Sequence, residues 1–130
     1  MYKSFFIIFI LHIFGGFFLQ SNRISKLKRD NMFYLLQHVG LYTLIFIVFS
    51  PILLGITFWQ GIVYSLINGV LHFIVDFFTG KIKSKMIVKD EVKYNLTVVM
   101  DYSIHLALLF ITFIWLYPNA IHVVTFWDKY

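Results

Sequence analysis

The sequence predicts an all-α fold: a polytopic membrane protein, a four-helix transmembrane bundle with both termini outside. Three observations lead there. Hydrophobic residues make up 60% of the 130 residues and charged residues 13%, with a mean hydropathy of +0.82. An ordinary soluble domain has about 45–50% apolar and about 25% charged residues, and a small soluble domain leaves too much of its surface in water to hide this much apolar area. The apolar residues fall into four stretches, and the basic residues gather in two of the segments between them.

The first span is expected at about 5–20, short against the roughly 17–25 residues of a typical spanning helix. Lys3 ahead of an apolar run raises the alternative of a cleavable signal peptide. No small-residue cleavage site follows, and His12 and Gln20 do not suit such a segment, so a retained helix is expected. The second span is expected at about 32–50, with Pro51 ending or kinking it, and Ile52 to Trp59 turning near the opposite interface. The third covers about 61–79. The fourth covers about 95–117 and stops before Pro118. The tail, 118–130, mixes Phe126, Trp127 and Tyr130 with Asp128 and Lys129, and aromatic residues of this kind favour the headgroup zone. The whole chain, 1–130, reads as a single domain.

Charge sets the direction of the spans. Arg23, Lys26, Lys28 and Arg29 lie between spans one and two, and Lys81, Lys83, Lys85, Lys89 and Lys93 between spans three and four, so nine of the eleven Lys and Arg fall in two segments. The stretch from Leu53 to Gln60 carries no charge. Because Lys and Arg concentrate in cytoplasmic loops, both basic segments are expected in the cytoplasm. Topology and anionic headgroups account for the net charge of +5. No nucleic acid partner is expected, since no recognition motif accompanies the charge. The absence of cysteine excludes a disulfide framework and a thiolate metal site. High Phe, Ile, Lys, Asn and Tyr usage suggests an AT-rich genome, hence a bacterial or phage origin and a multi-pass place in the bacterial inner membrane.

Six ionisable side chains lie within the spans: His12, His38, His72, Asp76, Asp101 and His105. Such groups are costly at membrane depth and usually mark function. His72 with Asp76, and Asp101 with His105, are separated by four residues, so each pair shares one helix face. Spans three and four run in opposite directions, and the order of the pairs inverts with them. Both pairs therefore present an Asp in an outer layer and a His about 6 Å deeper. His12 belongs near the deeper layer, His38 near the outer one, and Gln20 at the mouth of a cavity facing the cytoplasm.

Imidazoles and carboxylates in this number suit a divalent metal, zinc foremost, with His72, Asp76, Asp101 and His105 as ligands and His12 and His38 completing the set. A metal with an open position acidifies bound water, which would permit hydrolysis of a lipid or other membrane-associated substrate. Plainer roles stand beside this. His122 suits an interfacial hydrogen bond. His38, flanked by Tyr34 and Tyr42 at helical spacing, suits an interhelical one. The Asp–His pairs could hold the bundle together, but such bonds average only about 0.6 kcal/mol in membranes, little reason to place two aspartates there. Asn68, one turn before His72, is expected to extend the polar stripe or to orient the imidazole. Gly15, Gly16, Gly40, Gly61 and Gly69 suit close helix packing. Two other functions remain open: a small transporter or proton-conducting protein formed by association of copies, and a non-enzymatic membrane protein that binds a host membrane partner through its basic loops.

His12 to Gln20 with Phe17 between them, then His38, His72-Phe-Ile-Val-Asp76 and Asp101-Tyr-Ser-Ile-His105, resembles a family of small multi-span proteins of bacteria and phages that carries a domain-of-unknown-function label. The family pattern is His-x-x-x-Asp-Phe-x-x-Gln, a His, His-x-x-x-Asp, and Asp-Gln-x-x-His. The likeness covers nearly the whole chain. Gly16 stands where the pattern has its first Asp, and Tyr102 where it has Gln, so the resemblance implies a mononuclear rather than a binuclear metal site. A looser likeness to membrane-bound metal-dependent hydrolases rests on His and Asp within spans.

Overall fold

The computed structural model of the chain describes residues 2–18, 21–86 and 91–120. Among these there is no strand. The elements are α1 (Tyr2–Ile13), a π-helical turn (Phe14–Phe18), α2 (Asn22–Leu27), α3 (Met32–Leu54), α4 (Phe58–Met86) and α5 (Glu91–Leu116). Three helices are long and apolar enough to cross a membrane, α3, α4 and α5, and the segment from Lys3 to Gly16 forms a shorter apolar helix. The long helices are apolar on the outside too: Ile52, Val70 and Trp115 are 70%, 61% and 76% exposed. A lipid environment relieves that exposure.

Local chemistry explains where the helices depart from the hydropathy estimate. Pro51 does not end α3. It lies inside the last turn, and the helix continues to Leu54. Gly55 then stops it in the left-handed conformation, with φ of 66°. α4 starts at Phe58, ahead of the apolar run, because Thr57 and Gln60 form a reciprocal cap: Gln60 Oε1 accepts from the Thr57 N–H at 2.9 Å, and Thr57 Oγ1 from the Gln60 N–H at 3.3 Å. It also runs past the apolar stretch to Met86, with Lys83 and Lys85 in its last turn, where cations suit the helix dipole. α5 opens on Glu91, the matching choice at an N-terminus. The first span is the least regular. Its α-helical part ends at Ile13, and the wider π turn carries Gly15 and Gly16.

The four apolar elements close a ring. α4 packs between α3 and α5, while α1 lies against both α3 and α5. One half is an apolar core of Ile8, Leu11, Tyr42, Ile45, Phe46, Leu54, Tyr64, Leu109 and Phe113. Small residues set the helix separations. A Cβ on Gly61 would stand 2.4 Å from Pro51 Cγ and 2.8 Å from its Cδ, and one on Gly69 would stand 2.4 Å from Thr43 Oγ1. Gly40 has no such neighbour within 4 Å, so the packing role expected of it is absent; it is exposed on α3. The short α2 is capped by Ser21, which accepts from the Ile24 N–H at 3.2 Å. Asn31 caps α3 through a 2.9 Å bond from the Phe33 N–H. Gly80 on α4 faces this connection, where a Cβ would make an ordinary van der Waals contact 3.5 Å from Arg29 Cα.

Gly61→Ala presses a methyl group into a rigid proline ring, and overpacking of this kind costs about 1–3 kcal/mol. The expected outcome is a clear fall in melting temperature in detergent micelles, with Gly40→Ala at or above wild type.

Candidate metal centre

All six intramembrane His and Asp residues line one cavity of about 180 Å³, together with Gly16, Lys28, Arg29, Lys83, Tyr94 and Tyr102. Each helix of the ring contributes: α1 supplies His12, α3 His38, α4 His72 and Asp76, and α5 Asp101 and His105. All six are buried. Both basic segments reach the cavity, Lys28 and Arg29 from one and Lys83 from the other.

Asp76 is the hub. Its Oδ2 lies 3.2 Å from His38 Nε2 and 3.4 Å from His72 Nε2, and its Oδ1 lies 3.4 Å from His105 Nε2. The two imidazole nitrogens of His38 and His72 are themselves 3.0 Å apart. Two groups of three thus have donor atoms within 4.8 Å of one another: His38, His72 and Asp76, and Asp76, Asp101 and His105. Ligands placed tetrahedrally around zinc at about 2.0–2.1 Å stand roughly 3.3–3.4 Å from one another. The first group, with separations of 3.0, 3.2 and 3.4 Å, fits one face of such a tetrahedron.

The surroundings fix the rings. His105 Nδ1 lies 2.7 Å from the Asp101 carbonyl oxygen. Only a protonated Nδ1 makes that bond, which leaves Nε2 with its lone pair toward Asp76, the arrangement seen in metal-ligating histidines. The His72 ring lies between the rings of Tyr42 and His105, with both centroids 4.1 Å away. His12 pairs through Nδ1 with Tyr42 Oη at 3.0 Å and stacks on His105 at 5.7 Å. Its Nε2, like Nδ1 of His38 and of His72, has no hydrogen-bond partner among the described residues.

Two lysines belong to the site that the sequence reading assigned only to the cytoplasmic loops. Lys28 Nζ lies 3.2 Å from His38 Nε2 and 3.4 Å from Asp76 Oδ2. Lys83 Nζ donates to Asp101 Oδ2 at 2.5 Å, while Thr79 Oγ1 donates to Asp101 Oδ1 at 3.0 Å. Thr79 and Lys83 follow Asp76 by three and seven residues, so the helical period was a usable signal for both. Lys28 had none, because it arrives as the residue after a separate short helix.

Asn68 extends the polar stripe but does not orient His72. It exchanges hydrogen bonds with Thr112 across α4 and α5, at 2.9 and 3.1 Å, and donates to the Tyr64 carbonyl. Beyond it, Tyr64 Oη donates to the Leu109 carbonyl at 2.9 Å within the aromatic packing of Phe46, Tyr64 and Phe113. His38 keeps company with Lys28, His72 and Asp76 rather than with its helix neighbours Tyr34 and Tyr42: Tyr42 turns to His12, and Tyr34 lies under Arg23. Gln20, Lys89, His122 and the tail from 121 onward lie outside the described residues.

The chain belongs to the family described as "Protein of unknown function (DUF3307)", whose model matches residues 4–129. No curated protein and no solved structure matches it.

Removing one member of a buried ion pair strands its partner's charge, at a cost of about 3–5 kcal/mol. Lys83→Met is expected to lower unfolding stability in micelles by that order. The double variant Lys83→Met with Asp101→Asn should recover most of the loss, as measured by denaturant titration of both.

Proposed function

We propose that this chain crosses the bilayer four times with both termini outside, in a bacterial cytoplasmic membrane, and binds a divalent metal, zinc foremost, in a cavity open to the cytoplasm. The observation that carries the reading is the convergence of His38 Nε2, His72 Nε2 and Asp76 Oδ2 at 3.0 to 3.4 Å from one another. A purely structural network would give each buried nitrogen its own partner. Here two imidazole nitrogens face each other and a shared carboxylate, an arrangement that can hold only one proton between the rings. A divalent cation would take up all three lone pairs at once.

A divalent ion with an open position supplies activated water and polarises a bound ester. The residues around it divide the remaining work. His12, with Nε2 unpartnered at the cavity wall, is the group able to accept or return a proton. Lys28 and Lys83 hold positive charge over Asp76 and Asp101. Water is kept from the far side by Tyr42, Phe46, Leu109 and Phe113, and no space for a water molecule remains between Asn68 and His105. A site open at one end supports hydrolysis of a lipid or membrane-associated substrate over passage through the bundle.

Elemental analysis of protein isolated without chelator tests the metal. Stoichiometric zinc or another divalent ion is expected in wild type, with most of it lost in Asp76→Ala and a smaller loss in Asp101→Ala, since only Asp76 touches both histidine groups. Metal-free wild-type protein would sink the reading.

A further inference from the structure

The cavity wall carries more positive charge than its carboxylates require. Lys28, Arg29 and Lys83 face Asp76 and Asp101. Lys28 pairs with Asp76 and Lys83 with Asp101, which leaves Arg29 in excess. Arg29 meets no carboxylate among the described residues: its Nη1 donates to Tyr94 Oη at 3.3 Å, and its guanidinium carbon lies 6.0 Å from the centre of that ring. A loop arginine serving only as a headgroup anchor would extend toward the lipid surface. This one is turned inward and lines the cavity. A divalent ion at Asp76 would raise the positive excess further, in surroundings where uncompensated charge is costly.

We propose that the mouth of this cavity binds the phosphoryl group of a phosphate monoester, held by Arg29, Lys28 and Tyr94 over the His38, His72 and Asp76 cluster. The proposal rests on the metal reading for its charge balance, and it names the substrate class of that same site. A guanidinium offers two parallel N–H donors that match phosphate oxygens, and Tyr94 Oη adds a third donor once Arg29 turns to a ligand. The dianion of a monoester offsets more of the excess than a singly charged diester does. A cavity of about 180 Å³ is smaller than the roughly 300–1,000 Å³ of drug-sized sites. It therefore takes the phosphoryl end of a molecule and leaves the rest outside. His12 Nε2, buried and without a hydrogen-bond partner among the described residues, is an unsatisfied polar group on a residue lining the same cavity. The phosphate could be a lipid headgroup or a soluble ester, and the chemistry of recognition is common to both.

The test uses the full chain in phosphatidylcholine nanodiscs. Inorganic phosphate is titrated by calorimetry, and in a second arm native mass spectrometry compares retention of phosphatidic acid with that of phosphatidylglycerol, at matched metal content. Binding of at least one monoester-type probe is expected, with preference for phosphatidic acid over the diester lipid. Phosphatidic acid alone identifies a lipid substrate, and inorganic phosphate alone a soluble one. Arg29→Gln should weaken that binding by about tenfold or more, the value of a charged hydrogen bond, with metal content as in wild type. Arg29→Lys and Tyr94→Phe, both milder, should weaken it severalfold and keep the test alive if Arg29→Gln aggregates. Absence of binding by both probes, or wild-type affinity in the Arg29 and Tyr94 variants, overturns the proposal. Metal-free wild type that still binds phosphate through Arg29 would remove the metal reading and leave the anion site standing; metal-loaded protein that ignores both probes would do the reverse.

Discussion

A buried carboxylate must be surrounded, and Asp76 is surrounded from three directions. Its two oxygens face His38 and His72 on one side and His105 on the other, and the Lys28 ammonium lies against the first of them. Those partners come from α3, α4, α5 and the segment after α2. The bundle cannot separate without exposing a charge to lipid, where neither water nor backbone can compensate it. The apolar half sets how tightly the helices pack, and the carboxylate sets which faces meet.

The lysines change how the site is understood. Basic residues next to a membrane are ordinarily credited to topology and lipid attraction, and most of those in this chain are explained that way. Lys28 and Lys83 do more, because each is drawn in to neutralise one buried aspartate. Those two lysines therefore offset the cost of burying the aspartates. A desolvated pair of this sort adds little net stability compared with apolar packing, but the loss of one partner is expensive.

Much of this was legible in the sequence. Hydropathy located α3, α4 and α5, and the four-residue spacing of His72 with Asp76 and of Asp101 with His105 put those pairs on inward faces. The six ionisable residues were gathered correctly into one cavity. The helix limits were missed where local chemistry overrode hydropathy: the Thr57–Gln60 cap begins α4 early, and Pro51 sits too near a helix end to break it. The π turn after Ile13 left no trace beyond the Gly15–Gly16 pair. Of the two roles expected of Asn68, extending the polar stripe holds and orienting His72 does not, because the partner that claims it, Thr112, lies 44 residues away on α5. Lys28 was invisible for the same reason, since nothing local distinguishes a lysine that turns inward from one that does not.

Gly16 lines the cavity, and among the described residues a Cβ there would meet nothing within 4 Å. Most positions on a packed helix resist a larger residue, so altering a site usually means altering its walls first. Here the wall already has room, in a π turn that has relaxed the α-helical spacing. A single base change converts a glycine codon to an acidic one, and the side chain it adds would enter the cavity without displacing a neighbour. The number of carboxylates in this cavity is thus open to natural variation at one position, independently of the packing that holds the bundle together.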